Sequence, residues 1–330
     1  MSWESIRGHD DIHRQLDAAN ARGRLGHAFL LAGPSGVGKK LFATEFAKAL
    51  LCENPPAALT ACGVCPACQQ VAANTHPDFT VAKTPDDKHE LPVEVVRQFC
   101  RKLGLKPSRG RRSVGIVEDA DDFNEESANC FLKTLEEPAP GSVLLLLTTG
   151  TERQLPTILS RCQVLRFHPL PPDDLRGVLA GHGVSDPATL ERLVRLGNGC
   201  PGQALALNDD GLWQFREVAV GLLAAAQPDP VGFAVRWMEF IDAAGKESAA
   251  QRARASLVIR LLMDFLQAAL RSSLGSAVND PRATQLATRI GADAVLAALD
   301  ACNHADYLIE RKVQLVLVVE SLAGKLCASG

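Results

Sequence analysis

The chain has 330 residues, 46% of them hydrophobic, and a formal net charge of −3. This length allows two or three domains, and the near-neutral charge gives no global sign of a nucleic-acid-binding or membrane-binding protein. The N-terminal segment MSWESIRGHD lacks the apolar core of a signal peptide, and apolar runs such as 143–147 are too short to span a bilayer. We therefore expect a cytoplasmic protein with no membrane partner.

Short apolar runs alternate with helical patterns over the first half of the chain. The predicted strands are 27–32, 79–82, 113–117, 142–149 and 163–167. The predicted helices are 9–22, 39–51, 92–102 and 124–135. This alternation is typical of an α/β domain with a parallel sheet, and the continuously apolar strand 142–149 suits a sheet covered on both faces.

The pattern changes after residue 168, where Pro169, Pro171 and Pro172 mark a linker. From residue 213 onward the pattern is only helical, for example over 253–271 and 305–325. These changes of pattern divide the chain into an α/β part over 1–168, a part with short helices over 169–209 and an all-α part over 210–330.

A glycine-rich loop follows the first predicted strand and precedes a helix. It matches the phosphate-binding pattern G-x-x-x-x-G-K-[ST] at seven of eight positions: Gly33, Pro34, Ser35, Gly36, Val37, Gly38 and Lys39. In such a loop, backbone N–H groups form an anion site at a helix N-terminus and the lysine reaches the outer phosphates. The context predicts an inherited phosphate loop rather than a chance glycine turn.

The eighth position holds Lys40 instead of the serine or threonine whose hydroxyl binds magnesium. An ammonium group cannot ligate a cation, and it repels a unit positive charge about 4 Å away by roughly 4 kcal/mol at an effective dielectric of 20. A divalent ion doubles this repulsion. Lys40 can swing away or replace part of the metal's charge on the phosphate, so nucleotide can still bind without normal metal coordination. Binding of ATP with Mg²⁺ is doubtful, and efficient hydrolysis is not expected.

Two acidic residues, Glu118 and Asp119, follow the predicted strand 113–117. A nucleotide-hydrolysing enzyme places a metal-holding aspartate and a water-activating glutamate there, in the opposite order. Because glutamate is one methylene longer than aspartate, the reversed order of Glu118 and Asp119 displaces each carboxylate by about an ångström. Such a displacement matters because phosphoryl transfer depends on positioning. A solvated acidic loop that also contains Asp121 and Asp122 is the alternative.

Four of the ten cysteines lie close together in the pattern C-x9-C-x2-C-x2-C: Cys52, Cys62, Cys65 and Cys68. A reducing compartment disfavours disulfides, and four thiolates can close a tetrahedral zinc site that leaves no position for water. We predict a structural zinc ion, with a vestigial cluster or an iron–sulfur cluster as alternatives. His76, just downstream, is expected to be a surface or packing residue.

Arg161 lies within Ser160-Arg161-Cys162, at the end of a short predicted helix. It can pair with a carboxylate of its own chain, or it can point into the nucleotide site of a neighbouring subunit. An arginine finger supplied in trans contributes roughly 10³–10⁵ in rate. The residues alone leave both roles open.

Taken together, these motifs resemble bacterial clamp-loader subunits of the AAA+ class. The resemblance covers 1–207 by motif and the rest of the chain by helical pattern. Its segments are GHAFLLAGPSGVGKK, the four cysteines inserted over 52–68, THPDF, ANCFLKTLEEPAPGSVLLLLTT, LPTILSRC and GCPGQALAL. Their order along the chain is far more specific than a phosphate loop alone.

The resemblance implies an AAA+ domain of the P-loop NTPase type, a lid and a C-terminal domain that joins a five-subunit collar. It implies gamma/tau and delta subunits, the beta sliding clamp and primed DNA as partners, and zinc on the four cysteines. It also implies that Arg161, with Ser160 and Cys162, supplies the finger to an adjacent motor subunit. The chain would then be a rigid stator in a DNA polymerase (nucleotidyltransferase) holoenzyme, without DNA synthesis of its own.

The alternative within this family is the ATP-hydrolysing gamma/tau motor subunit. Three departures argue against it: Lys40, the order Glu118-Asp119, and Gly202 where motor subunits carry a lid arginine. Outside the family, the candidates are a self-sufficient ATPase and a zinc-stabilised DNA-binding protein. The DNA-binding protein would use the strongest local cluster of positive charge, which consists of Lys106, Arg109, Arg111 and Arg112. A solvated loop before a strand also explains this cluster.

Overall fold

The computed structural model describes residue 3 and residues 6–109, 112–245 and 248–328. The chain forms two compact units, Met1–Leu205 and Ala206–Gly330. The boundary lies four residues before the predicted end of the lid, and the division into three domains stays a prediction.

The first unit contains a five-stranded sheet and the helices around it. Its strands are β1 (Ala28–Ala32), β2 (Phe79–Ala82), β3 (Ser113–Val117), β4 (Ser142–Thr148) and β5 (Gln163–Arg166). The helices along the sheet region are α1 (Asp10–Ala21), α2 (Lys39–Leu51), α3 (Pro66–Ala72), α4 (Val93–Leu103), α5 (Glu125–Glu136) and α6 (Pro156–Leu159). Three further helices follow β5: α7 (Pro172–Gly181), α8 (Pro187–Gly197) and α9 (Pro201–Ala206).

The strands lie in the order β2-β3-β4-β1-β5, and every neighbouring pair is parallel. Both faces of the sheet are buried. Phe29 and Leu31 of β1 enter one apolar cluster and Leu30 enters another, because successive side chains of a strand point to opposite faces. This covering of both faces explains why the central strands β1, β3 and β4 are buried along their whole length.

The structure confirms the predicted parallel α/β architecture. Each of the predicted strands and of the four helices before α6 begins and ends within one residue of its predicted position. Helix α3, inside the cysteine segment, was not predicted. In a parallel sheet the carboxyl ends of the strands lie along one edge, so the loops after β1, β3 and β4 come together there.

The second unit consists of helices and the connections between them over its described residues, with no strand among them. It contains α10 (Asp210–Ala224), α11 (Pro230–Asp242), α12 (Ser248–Ser273), α13 (Pro281–Glu310) and α14 (Leu315–Ala328). The single helix predicted over 305–325 is wrong, because α13 ends at Glu310 and α14 begins at Leu315. Lys312 adopts a left-handed φ of 57° between them, which a continuous right-handed helix cannot include. Within the described ranges, no helix is both long and apolar enough to cross a bilayer.

Candidate functional site

The glycine loop 33–38 connects β1 to α2, at the carboxyl edge of the sheet. Gly36 and Gly38 have φ values of +77° and +111°, which side chains other than glycine rarely adopt. At Gly33 an added Cβ would lie 2.4 Å from the carbonyl oxygen of Phe167. The glycines are therefore required by the backbone path, and the structure has the strand–loop–helix arrangement of a phosphate loop.

The lysine of the loop turns back onto its own backbone. Lys39 Nζ donates hydrogen bonds to the carbonyl oxygens of Gly33 at 2.5 Å and Pro34 at 2.9 Å. Lys39 is buried, and this burial lowers its pKa while the charge of Asp121 opposes the shift. The ammonium group thus has partners from the protein in the place where a phosphate would otherwise bind it.

Lys40 forms an ion pair with Glu118, the first acidic residue after β3. Its Nζ lies 2.8 Å from Oε1 and 3.0 Å from Oε2 of that carboxylate. Lys40 is at the position where the loop pattern predicts a magnesium-binding hydroxyl, and Glu118 is at the position predicted for a metal-holding acid. The two predicted positions are therefore joined directly by an ion pair.

The neighbouring acid, Asp119, is not part of this pair. Its Oδ2 accepts a hydrogen bond from the backbone N–H of Thr84 at 3.0 Å, beyond the end of β2. Burial raises the pKa of Asp119, and the Thr84 hydrogen bond acts in the opposite direction. The two predicted acidic residues thus have separate partners, and of the two it is Glu118 that pairs with Lys40 at the start of α2.

A third acidic residue, Asp121, follows β3 and is bound in an ordered polar cluster with residues at the end of β4, rather than lying in a solvated loop. Its carboxylate accepts hydrogen bonds from the Thr148 hydroxyl, from the Thr149 N–H at 2.8 Å and hydroxyl at 2.6 Å, and from Gln154 Nε2 at 3.0 Å. Together with its effect on Lys39, this places a fixed negative charge beside the loop. The acidic run EDADD was its signal in the sequence, but its partners lie 27 to 33 residues away.

Helix α9 closes over the glycine loop. The N–H of Gly202 donates to the carbonyl oxygen of Gly36 at 2.9 Å, and Gln203 Nε2 donates to that of Ser35 at 2.7 Å. A Cβ on Gly202 would lie only 3.0 Å from the Cα of Gly36, so glycine permits this approach. The sequence shows that Gly202 stands where motor subunits carry an arginine, but no pattern in it indicates that Gln203 binds the loop.

Arg161 lies at the surface, directly after α6. Its guanidinium contacts Glu136 Oε1 at 2.6 Å, the Thr157 carbonyl oxygen at 3.0 Å and the Ser160 hydroxyl at 3.1 Å. Burial raises the pKa of the adjacent Cys162 to about 12, so this thiol is neutral at physiological pH. The structure therefore contains the pairing within the chain, and a role in trans stays a prediction.

The four clustered cysteines come together as the spacing predicts. Their Sγ atoms all lie within 4.8 Å of one another, and those of Cys52 and Cys65 are 3.9 Å apart. Backbone N–H groups of Cys62, Cys65 and Cys68 point at sulfur atoms at 3.3 to 3.5 Å. Burial raises the pKa of Cys52 and of Cys68, whereas at Cys65 hydrogen bonds led by that from the Cys68 N–H outweigh burial and lower the pKa to about 6. The cluster can hold a metal ion.

The THPDF segment fixes the turn before β3. His76 is buried and its Nδ1 lies 3.1 Å from the Asp78 N–H, outside the cysteine cluster, as expected for a packing residue. The Asp78 carboxylate accepts the N–H groups of Ser108 at 2.5 Å and Arg109 at 2.9 Å. Burial raises the pKa of Asp78, but these bonds outweigh it and lower the pKa. The ionised Asp78 therefore stabilises the folded chain at pH values above its pKa in the unfolded chain. This stabilisation is lost as the pH falls through the pKa of Asp78 in the folded chain.

The basic cluster is partly tied to its own chain. Arg109 Nη1 donates to Gln70 Oε1 and Arg112 Nη2 donates to Asn20 Oδ1, both at 3.2 Å. Lys106 is exposed, and Arg111 lies outside the described residues.

The parallel sheet, the glycine loop between β1 and α2 and the helices that follow define an AAA+ protein. A family model described as DNA polymerase III, delta subunit, matches residues 8–171. DNA polymerase III subunit delta′ of Pseudomonas aeruginosa is 39% identical over 60% of this chain and 61% of its own length, which is less than two thirds. Subunit delta′ of Escherichia coli is 33% identical over 77% of this chain and 73% of its own. The chain therefore belongs to the family of DNA polymerase III delta prime subunits.

Two other comparisons are more distant. DNA polymerase III gamma/tau subunits of Mycobacterium tuberculosis match at 31% identity over 74% of this chain but only 44% of their own length. Among solved structures, a gamma subunit-related protein of Thermotoga maritima matches with a TM-score of 0.47 and 15% identity, over 95% of this chain and 99% of that one.

Proposed function

We propose that the chain is a delta prime-type stator of a DNA polymerase III clamp loader. Its own nucleotide site is inactive, and Arg161 acts on the ATP site of a neighbouring gamma/tau subunit. The further partners in this proposal are the delta subunit, the beta sliding clamp and, through the assembly, primed DNA. The chain contributes shape and one cationic side chain, and the neighbouring subunit carries out the hydrolysis.

The ion pair between Lys40 and Glu118 carries this proposal. It joins the two positions from which a nucleotide-hydrolysing relative would hold Mg²⁺, and it places a positive charge between them, with Lys40 68% exposed and Glu118 15% exposed. Two further contacts point the same way, because Lys39 is bound to the loop carbonyls and Gln203 covers the loop from α9. A triphosphate with its metal would have to displace all of these contacts to bind productively.

The proposal for Arg161 rests on its position and the weakness of its present pairing. The side chain is 35% exposed and its partner Glu136 is 49% exposed, so their ion pair contributes about 0–1 kcal/mol to folding. A bound phosphate of a neighbouring subunit can compete for a guanidinium held this loosely. A deeply buried pair would have favoured the purely structural role instead.

We further propose that the four-cysteine cluster holds a structural zinc ion. A tetrahedral site with Zn–S bonds of about 2.3 Å requires sulfur atoms about 3.8 Å apart, and the Cys52–Cys65 separation of 3.9 Å fits it. The backbone N–H groups directed at sulfur stabilise thiolates, the form in which cysteine binds metal. Four protein ligands leave no open position, so the ion would stabilise the fold and perform no catalysis.

The gamma/tau motor subunit remains the second candidate, since such subunits are also relatives of this chain. The contacts of Lys40, Asp119 and Gln203 argue against it. In a hydrolysing subunit the position of Lys40 would bind metal and the position of Asp119 would activate water, and the loop that Gln203 covers would bind nucleotide.

Replacing Lys40 by threonine tests which role the site has. We expect Lys40→Thr to bind an ATP analogue in the presence of Mg²⁺ at least about tenfold more tightly than the wild-type chain, because the repulsion between the ammonium and the metal is removed. The measurement is titration of a fluorescent ATP analogue with and without magnesium. Lys102→Thr on α4 is the matched control, since Lys102 is exposed and far from the loop in sequence.

Equal and tight Mg²⁺-dependent binding by the wild-type chain and Lys40→Thr would contradict the proposal. If neither protein binds, the double variant Lys40→Thr/Gln203→Ala separates the effect of Lys40 from the covering of the loop by α9. Binding by the double variant alone would assign the block to both contacts.

A further inference from the structure

Trp3 joins the N-terminal segment to the loop that leads to the second cysteine of the cluster. Its indole N–H donates a hydrogen bond of 2.7 Å to the carbonyl oxygen of Leu59. Its ring packs against the apolar cluster that contains Cys65 and Cys68, and its centroid lies 5.0 Å from that of Phe42, a buried residue of α2. One side chain therefore contacts both the surroundings of the four cysteines and the core under the sheet.

The contact at Leu59 holds a segment that has few other anchors. Residues 53–58 are exposed, whereas Leu59 is buried with a left-handed φ of +46°, which is rare for a side chain of this size. Cys52 and Cys62 bound the segment, and the Cys62 N–H lies 3.3 Å from the Cys52 sulfur. A zinc ion bound by both cysteines closes the segment into a loop, which lowers the entropy cost of fixing Leu59.

The same N-terminal segment also reaches the glycine loop. The Ile6 N–H donates to the carbonyl oxygen of Trp3 at 3.0 Å, and the Ile6 side chain is buried in the core. Three residues further on, His9 is buried, and its Nε2 lies 3.3 Å from the carbonyl oxygen of Val37, in the middle of the glycine loop. The His9 ring also lies 4.6 Å from the ring of Phe167, centroid to centroid. The N-terminal segment thus has one contact at each of the two sites.

We propose that the N-terminal segment couples zinc binding by the four cysteines to the conformation of the glycine loop, an inference that rests on the zinc site proposed above. Zinc fixes the loop 52–62 and, with it, the carbonyl group that binds Trp3. The docked Trp3 in turn holds His9 against the glycine loop. The element with two states is the loop 52–62, which is ordered when zinc closes it and loosened when zinc is removed.

Zinc affinity is the first readout, because coupling between two sites is reciprocal and Trp3 must then favour zinc binding. The measurement is competition between the full-length chain and a colorimetric zinc chelator. Trp3→Phe keeps an aromatic ring but removes the indole N–H. It should weaken zinc binding at least about fivefold, the lower limit of typical coupling between sites.

Trp213→Phe is the matched control for this substitution. The indole N–H of Trp213 also donates to a backbone carbonyl oxygen, that of Leu207 at 2.8 Å, but both residues belong to the second unit. The control removes the same kind of hydrogen bond at a place that the proposal does not use. It should therefore bind zinc like the wild-type chain.

Hydrogen exchange of the backbone amides is the second readout, and it follows the coupling from zinc to the glycine loop. Removal of zinc from the wild-type chain should raise exchange over 6–13 and 33–38 as well as over 52–72. In Trp3→Phe the amides of 6–13 and 33–38 should exchange faster already and respond less to zinc. An effect transmitted only along α2 would instead raise exchange over 39–51 equally in both proteins.

Equal zinc affinity of the wild-type chain and Trp3→Phe would overturn the coupling and leave the zinc site in place. Exchange that rises only over 52–72, or only there and along α2, would have the same consequence. A chain whose four cysteines take up no zinc would overturn the zinc assignment itself, and this inference with it.

Discussion

Replacing Arg161 by alanine is expected to lower ATP hydrolysis at one site of the assembled clamp loader by roughly 10³–10⁵-fold. The guanidinium would no longer neutralise charge on the transferred phosphoryl group of the neighbouring subunit. Folding should change little, since the exposed pair with Glu136 contributes about 0–1 kcal/mol. The measurement is single-site ATP turnover in a complex reconstituted with gamma/tau and delta subunits, together with thermal unfolding of the isolated chain.

Two variants separate catalysis from structure in this experiment. Arg166→Ala removes an exposed arginine from β5 and should leave turnover unchanged. Glu136→Gln removes the partner of Arg161 within the chain and should preserve turnover, because the finger itself remains. If Glu136→Gln and Arg161→Ala reduce stability equally and neither reduces turnover, Arg161 has only a structural role.

Replacing Cys65 by serine is expected to remove most of the bound zinc and to destabilise the first unit. Zinc that is bound only by the folded chain stabilises it by about 4 kcal/mol when free zinc is 1,000 times the dissociation constant. Loss of one thiolate from a closed four-cysteine site removes this contribution almost entirely. The measurements are metal content of the purified chain, expected at roughly one zinc per chain in the wild type, and the midpoint of thermal unfolding.

Cys327→Ser is the control for this change. Cys327 is a partly buried single cysteine of α14, remote from the cluster in sequence, and its loss should leave the zinc content unchanged. A wild-type chain that contains iron, or no metal at all, would contradict the zinc assignment. So would a Cys65→Ser variant that unfolds at the wild-type temperature.

Local patterns were sufficient to predict most of the first unit. The central strands β1, β3 and β4 are short, mainly apolar runs that are buried along their whole length, and they end at a glycine, an acid or a threonine. The phosphate loop and the cysteine spacing were also visible, because their geometry is set by residues close together in the chain. The helix break at Lys312 was missed because apolar residues continue on both sides of it.

The contacts that decide the state of the nucleotide site could not be predicted in this way. The sequence showed that Lys40 lacks a hydroxyl, but its pairing with Glu118 joins residues 78 positions apart. Gln203 reaches Ser35 across 168 positions. Asp121 becomes an ordered acceptor only because β4 lies beside β3 in the sheet. Such long-range contacts depend on the strand order, which no local pattern of residues determines.

The most direct test of the proposal that the nucleotide site is inactive is phosphate release by the purified chain with ATP and Mg²⁺ and no partner subunits. The ion pair at Lys40 and Glu118 predicts release no faster than the background of the buffer. Steady turnover of roughly 1 s⁻¹ or faster that is abolished by Lys39→Ala would contradict it, because the chain would then hydrolyse ATP from its own glycine loop.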